Sequence, residues 1–484
     1  MSGKDSYNNV KKNYESVPPD GGWGYVIGIA VIINISTSTV FISSYDLLFK
    51  EFLQDIGMGS PHVSLMRGIS GICTAVAGFL TSPLLSIMSL RMLTLAATLI
   101  FNTGVICIMF VKSVFTFHIC HGILQGLGIG LIYNLSCTIL NDYFVKRRLM
   151  AISLVQSVVA FVSMAAQLFL KWSLEKYGFR DTILLISGIT MHNFIAVALM
   201  QPVKWHMKRV EVAEGNSEKL LHDKKSNEEA GIVPIINLTN TDINLSHPNE
   251  KLILSSEKER NDGINYRKMI NSLVDKSLCE TFLMSCVCAG PALAMFADTT
   301  YAAILPKALY TAGWVQGNVS LALSLYGFGD LAMRVLFVLL SNWLHKLGSQ
   351  EIYVLGVTLG LVSRLGMLWS KSFIAMMVYI TLVGASHCAV SILIPLVVAD
   401  AVAPGQFTAA LGILMMLSGL VDLVLGPAFG AVRELTESYG PEFYLIASCF
   451  AIIVLFWSIE LCYKKNKHKR LQRREYLRQK KLNK

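Results

Sequence analysis

The chain has 484 residues, of which 53% are hydrophobic and only 15% are charged. A soluble globular chain carries about 25% charged residues, so this composition indicates an integral membrane protein. The formal net charge of +10 comes from basic tails and loops beside apolar runs. Membrane topology explains charge in that position, and no nucleic-acid partner is expected.

Twelve apolar runs are long enough to cross a membrane, because a hydrocarbon core of about 30 Å needs about twenty helical residues. The first twenty residues are polar and contain no cleavable signal, so we expect the first run to act as an uncleaved targeting signal. The predicted runs are 24–49, 63–87, 92–111, 114–140, 149–170, 182–203, 278–305, 319–340, 352–369, 373–399, 407–432 and 443–461.

These runs divide the chain into five parts: an N-terminal tail (1–20), a six-helix half (21–203), a linker (204–277), a second six-helix half (278–462) and a basic tail (463–484). The linker is polar throughout, so we expect it to be flexible. Six spans, a long linker and six spans is the arrangement of major-facilitator transporters. The predicted fold class is therefore an all-α membrane protein with twelve spans in two halves related by pseudo-two-fold symmetry, with the solute site between them.

Basic residues predict the orientation. They cluster in the loop 146–148, at both ends of the linker and from Lys464 onward. The positive-inside rule then places the N-terminus, linker and C-terminal tail in the cytoplasm, and we expect a multi-pass protein of the plasma membrane. The tail is also suited to anionic lipid head groups, at about 1 kcal/mol for each basic residue near the surface.

Two motifs stand at the starts of apolar runs. The first is PPDGGWGY at 18–25, and the second is YFVKRRLMA at 143–151. Their polar, glycine and aromatic residues suit folding, orientation and gating: a carboxylate caps its own helix, glycines allow close approach, and an aromatic ring suits the interface. The motif residues are Asp20, Gly21, Gly22, Trp23 and Gly24 in the first, and Tyr143, Phe144, Lys146, Arg147 and Arg148 in the second.

Together the two motifs resemble the two signatures of the monocarboxylate transporter family, within the major facilitator superfamily. Weaker matches keep the family's order at Asn134, 177–180, 198–202, Asp400 and 426–427. The resemblance covers about residues 18 to 460 outside the linker. It implies alternating-access transport of a small organic anion without a cofactor, and in some relatives a single-span accessory glycoprotein as partner.

Asp330 and Arg334 carry the sharpest functional signal. They lie midway along the eighth run, four residues apart, and so share one helix face. A charge at the bilayer centre costs about 2.5–3.5 kcal/mol on insertion scales, so such residues usually pair or face a pore. The resemblance assigns Arg334 to the substrate carboxylate and Asp330 to the proton. Protonation of Asp330 would then release Arg334 to bind the anion. A purely structural ion pair is the alternative.

One position departs from the family. Proton-coupled members carry a lysine late in helix one, and the corresponding residue here is Ser43. A hydroxyl neither carries the proton nor attracts an anion as an ammonium does, so symport and the substrate both stay open. Asp298 in the seventh run could carry the proton instead, bind a substrate amine or hydrogen-bond locally.

Two further side chains have two interpretations each. Tyr326 and Phe328 flank the Asp–Arg pair and would either line the pore, where we expect them to bind substrate, or face lipid. Arg364 lies nearer the end of its run, where its side chain would snorkel to the interface.

The leading prediction is a transporter of monocarboxylates or similar small organic anions, coupled to protons or not. Uncoupled passage of amino acids or related zwitterions is the alternative within that class, and a non-transporting sensor or scaffold is the alternative outside it. An enzyme is not expected, because zinc motifs, nucleophile elbows and paired catalytic carboxylates are missing from the sequence. His118 and His121 lack a third ligand, so no metal is expected.

Overall fold

The computed structural model describes residues 14–43, 48–49, 52–53, 55–57, 60–211, 282–283, 285–344, 347–403 and 405–482. Most of the predicted linker and the start of the N-terminal tail lie outside these ranges. Ser43 ends the described part of the first helix, and its side chain lies outside the description.

Twelve long helices, α1 to α12, and two short strands, β1 and β2, make up most of the described chain, and residues 48–49, 52–53, 55 and 282–283 are also helical. Helix α4 includes a π-helical stretch, His118–Gln125, and a 3-10 turn, Val203–Trp205, precedes β2. The bounds are β1 Tyr14–Val17, α1 Trp23–Ser43, α2 Ser60–Leu85, α3 Leu90–Ile108, α4 Val114–Tyr143, α5 148–177, α6 179–199, β2 Lys208–Glu211, α7 Cys286–Thr311, α8 Gln316–Leu344, α9 Ser349–Trp369, α10 Phe373–Ala401, α11 Phe407–Thr436 and α12 Gly440–Leu482.

Helices α5 and α6 follow one another without a loop. The helical stretch Arg148–Leu199 has 52 residues, which is twice the length a span needs. Gly178 divides it, because its φ of 75° is left-handed and only glycine adopts that conformation without strain. With α1 as a shorter apolar helix and ten longer ones, this break gives the twelve spans that the sequence predicts.

The two halves meet along α2 against α11 and α5 against α8. A Cβ atom added to Gly412 on α11 would lie 2.6 Å from the carbonyl oxygen of Gly78 on α2, so the backbones touch there. Within the second half, a Cβ added to Gly384 on α10 would lie 2.0 Å from the carbonyl oxygen of Tyr326 on α8. Small residues at these crossings allow the close approach that membrane helices use for packing.

The predicted start of the seventh span, at 278, lies outside the described chain, in which α7 runs from Cys286. Two other predicted boundaries change. Helix α12 continues to Leu482, so the predicted basic tail extends the last span as helix. Residues 204–211 of the predicted flexible linker are ordered as the 3-10 turn and β2, which pairs antiparallel with β1.

The sheet fixes which parts of the chain share a membrane side. Tyr14 pairs with Glu211 and Val17 pairs with Lys208, so the segment before α1 lies beside the segment after α6. We call this side, which also holds the α4–α5 loop and the ends of α10 and α12, the terminal face.

Candidate functional site

The Asp330–Arg334 pair lies on α8 where the two halves meet. Arg334 Nε donates to Asp330 Oδ2 at 2.9 Å, and Arg334 NH2 donates to Oδ1 at 3.1 Å, so the fork of the guanidinium grips both carboxylate oxygens. The remaining nitrogen, NH1, donates to the backbone carbonyl of Gln156 on α5 at 3.3 Å. Arg334 is only 6% exposed. The pair predicted from the sequence therefore forms, and its arginine also contacts the opposite half.

A second charged cluster lies within the second half. The Asp298 carboxylate on α7 is 2% exposed and binds two partners. Its Oδ1 accepts from Arg364 on α9, and its Oδ2 contacts the Nδ1 of His387 on α10. The three residues come from three helices, so the cluster ties α7, α9 and α10 together inside the membrane.

The prediction that Arg364 snorkels to the interface is wrong. Arg364 is 1% exposed, and its guanidinium lies between the rings of Tyr301 and Phe450, with Cζ 4.8 Å and 4.0 Å from the ring centroids. A planar guanidinium stacks on aromatic faces, and Asp298 supplies the balancing charge. This pairing allows an arginine to lie deep in the protein instead of reaching the head groups.

Sequence reasoning missed His387. A single histidine in an apolar run carries no spacing signal, and its partner Asp298 lies 89 residues away. The sequence contains one signal: a carboxylate buried in an apolar run needs a partner, and a cationic side chain of another run can supply it. Helix pairing, which the sequence alone does not give, decides which of them is close enough.

Tyr326 connects the two clusters. It lies four residues before Asp330, on the same face of α8, and its ring centroid is 5.9 Å from the imidazole of His387. The hydroxyl is buried and forms no hydrogen bond with any described residue. Asp330 follows Tyr326 by about one helical turn on the same side of α8. The two clusters therefore form one continuous polar region between α7, α8, α9 and α10.

Phe328 lies elsewhere. Its side chain is 64% exposed, and two residues along a helix correspond to about 200° of rotation from Asp330. This places Phe328 on the lipid side of α8 and away from the Asp–Arg pair, against its predicted place in the substrate site.

The two sequence motifs meet at the terminal face. The Asp20 Oδ1 atom accepts backbone N–H groups from Val145 at 2.8 Å, Lys146 at 2.9 Å and Arg147 at 3.3 Å. Asp20 was expected to cap its own helix, α1. Instead its carboxylate binds the three N–H groups that directly precede α5, where the helix dipole also favours an anion. Its φ of 47° turns the chain so that the carboxylate reaches them.

The other motif residues pack around this contact. A Cβ added to Gly24 would lie 2.9 Å from Phe144, which shows why a glycine fits there. Trp23 stacks on His206, with ring centroids 5.2 Å apart, and the Tyr143 hydroxyl donates to the carbonyl of Gln201 at 3.0 Å. Gly21 and Gly22 form the turn into α1, and the side chains of Lys146 and Arg147 are exposed.

Polar contacts between the two halves lie toward the same face. Arg148 NH1 lies 3.3 Å from Asp400 Oδ1 at the end of α10. The hydroxyls of Thr138 and Thr408 lie 3.0 Å apart, and Asn134 Nδ2 donates to the Thr408 carbonyl at 3.3 Å. Among the described residues, the Arg334–Gln156 bond is the only other hydrogen bond between the halves. In this conformation the two halves are therefore held together at the terminal face.

Comparisons with known proteins agree with this architecture. The family model of the Major Facilitator Superfamily matches residues 27–241 and 287–482. Monocarboxylate transporter 1 of Bos taurus is 26% identical over 444 residues, which cover 90% of this chain and 84% of the relative. Monocarboxylate transporter 2 of Meriones unguiculatus is 24% identical over 442 residues, covering 91% and 83%.

Solved structures show the same fold. The human organic anion transporter MFSD10 (TETRAN) aligns with a TM-score of 0.61 at 14% identity, covering 91% of this chain and 100% of that one. The E. coli fucose:proton symporter FucP aligns with a TM-score of 0.57 at 12% identity, covering 90% and 98%.

Proposed function

This chain belongs to the Major Facilitator Superfamily and is a divergent relative of the monocarboxylate transporters, and on that premise we propose that it carries a small organic anion, of the monocarboxylate class, by alternating access. It is a membrane transporter and not an enzyme. The names of its relatives support an anionic substrate, and Arg334 supplies the residue that would bind one.

The main support for this proposal is the environment of Arg334. Its guanidinium is buried, forked onto a carboxylate and in contact with the opposite half. The carboxylate of a substrate presents two oxygens in the same geometry as the Asp330 side chain. It can therefore replace Asp330 as the acceptor of the two N–H bonds from Arg334. Because the site lies between the halves, the bound anion would move from one membrane side to the other when the halves rock.

The polar contacts that hold the two halves together at the terminal face support the alternating-access part of the proposal. Arg148–Asp400 and the Thr408 contacts must break before the halves separate there. In the conformation described, solute would therefore enter from the opposite side. The basic residues of the α4–α5 loop and of the end of α12 favour the cytoplasm as the location of the terminal face.

The Asp298 carboxylate is poorly placed to bind a substrate amine. Both of its oxygens are engaged and it is 2% exposed. An amino acid would have to displace Arg364 or His387 to reach it. This environment favours an anion over a zwitterion as substrate.

The test is a substrate panel in proteoliposomes, with aliphatic and aromatic monocarboxylates beside amino acids. Losing a hydrogen bond to a charged group costs about 1.5–3 kcal/mol, and about 1.4 kcal/mol is tenfold in binding. Uptake of the carried anion should therefore fall by about 10-fold to 100-fold in Arg334→Ala. Arg334→Lys should also be impaired, because an ammonium lacks the planar fork.

Arg91→Ala is the matched control, since Arg91 is exposed at the start of α3 and contacts the backbone carbonyl of Ala198 rather than the site. It should transport as the wild type does. Wild-type uptake of amino acids but of no monocarboxylate would overturn the proposed substrate class. Undiminished uptake by a well-inserted Arg334→Ala would overturn the site.

A further inference from the structure

The charges of the Asp330–Arg334 pair and the Asp298–Arg364–His387 cluster balance when His387 is neutral. Asp298 and Asp330 contribute two negative charges, and Arg334 and Arg364 contribute two positive ones. A monocarboxylate adds one negative charge to this region. An uncompensated charge in the membrane interior is costly, so passage of the anion calls for one additional positive charge nearby.

Asp330 is poorly placed to take a proton. Before an anion binds, both of its oxygens accept hydrogens from Arg334, and a proton on either oxygen would neutralise the carboxylate and weaken this ion pair. Asp298 is in the same position, since Arg364 and His387 occupy its two oxygens. In the anion-free conformation, each oxygen of both carboxylates is therefore already engaged by a cationic or imidazole partner.

His387 has the free position that the carboxylates lack. With Asp298 as acceptor, Nδ1 carries the hydrogen and the lone pair of the neutral ring lies on Nε2. Among the described residues Nε2 has no hydrogen-bond partner, and the side chain is 31% exposed. A proton can therefore add to Nε2 without breaking any existing bond.

We propose that His387 carries the transported proton on Nε2, and that Asp298 and Arg364 are positioning residues that hold the imidazole in place. The proton adds to the Nε2 lone pair as the anion enters, and the same N–H bond breaks on the other membrane side, which restores the neutral ring. Asp298 stabilises the imidazolium while it exists, and Arg364 keeps Asp298 ionised and in position. This inference rests on the proposed function and names its coupling residue.

The surroundings of His387 contain the groups that this role requires. On α7, Asp298 contacts the ring directly, and its other oxygen binds Arg364 of α9, whose guanidinium stacks on Tyr301. On α8, the ring centroid of Tyr326 lies 5.9 Å from the imidazole, and Asp330 follows about one helical turn later with Arg334 bonded to it. An anion that replaces Asp330 on Arg334 would therefore lie about one turn of α8 from the ring that contacts His387.

The inference also addresses Ser43. The resemblance places a lysine at that position in proton-coupled relatives, and this chain has a hydroxyl there. A protonated His387 would supply, from the second half, the positive charge that the first helix does not provide. Unlike a lysine, it would supply this charge only when a proton is bound.

The experiment measures initial uptake of the anion identified in the substrate panel, at external pH 5.5 to 8.5 with the luminal pH fixed. Protein-free liposomes give the background, because undissociated acids cross bilayers unaided. A requirement for one proton makes the wild-type rate fall by up to about tenfold per pH unit on the alkaline side of the profile. His387→Gln, which can still donate to Asp298, should flatten this profile to within about twofold over the same range, because an amide does not titrate.

His192→Gln is the matched control, since His192 is exposed on α6 and its contact is with the backbone carbonyl of Ile189. It should keep the wild-type profile. A second measurement needs no variant: a luminal pH indicator should report about one proton taken up with each anion in the wild type.

Each outcome separates the two proposals. If the wild type accumulates an anion without regard to the proton gradient, and Arg334 is still needed, the assignment of His387 is wrong and the proposed function stands. If coupling persists in His387→Gln but is lost in Asp330→Asn, the proton travels on Asp330. If no anion is carried at all, the proposed function itself fails.

Discussion

The two halves of the molecule differ in what they bury. Among the described residues, the first half buries neutral polar groups, such as Thr37, Asn102 and Asn193, and no carboxylate, lysine or arginine. The second half buries Asp298, Arg334, Arg364 and Glu442. The two halves of one fold therefore differ in their buried polar groups. The helices of the first half are joined by neutral hydrogen bonds, and the second half concentrates charged side chains beside the site.

The difference has an energetic consequence. Neutral hydrogen bonds between membrane helices are worth about 0.6 kcal/mol on average, so losing one is tolerable. Breaking a buried ion pair by removing one partner costs about 3–5 kcal/mol, because the other charge is left without compensation. We expect substitutions at equivalent depth to be much more harmful in the second half than in the first.

The largest effect is expected at Asp298. Asp298→Asn keeps the size of the side chain but leaves Arg364 without a counter-charge, so the free energy of unfolding in mixed micelles should fall by about 3–5 kcal/mol. The double variant Asp298→Asn/Arg364→Gln removes both charges and should recover part of this loss. A double variant less stable than the single one would show that the pair is not the source of the effect.

A smaller effect is expected at the terminal face. Asp20→Ala removes the acceptor for three backbone N–H groups and places alanine at a φ of 47°. Loss of a capping side chain costs about 0.5–2 kcal/mol, measured by the same unfolding assay. Asp20→Asn retains one oxygen and tolerates the left-handed conformation, so it should lose less. Equal losses in the two variants would argue against the capping contact.

The smallest effect is expected in the first half. The Thr37 hydroxyl on α1 donates to Asn193 Oδ1 on α6 at 2.6 Å. A double-mutant cycle with Thr37→Val and Asn193→Ala should give a coupling energy of about 0.6 kcal/mol, and below about 1.7 kcal/mol. A coupling of several kcal/mol would remove the contrast between the halves.

Much of the fold follows from the sequence because span length and basic loops report directly on the bilayer. The twelve runs match the twelve helices, with the largest shift at the end of α12. The helical end of α12 was missed, since hydropathy detects membrane burial and not helix that extends beyond it. The β1–β2 pairing was missed because two four-residue segments nearly 200 residues apart carry no local signal.

The candidate site was predictable only where its residues are neighbours in sequence. Asp330 and Arg334 are four apart on one helix, so helical geometry alone brings them together. Asp298, Arg364 and His387 lie on three helices, and their meeting depends on how those helices pack. The contact of Asp20 with the loop before α5 has the same origin, since the two motifs were found separately and their proximity was not.

Binding of the transported anion to purified protein tests the central claim most directly. Isothermal titration at one pH should give saturable binding to the wild type and to the exposed-site control Arg91→Lys. Arg334→Lys should weaken the affinity by at least about tenfold, equivalent to about 1.4 kcal/mol, while Asp330→Asn should retain binding because it removes the carboxylate that competes for the guanidinium. Wild-type affinity in a folded Arg334→Lys protein would contradict the account.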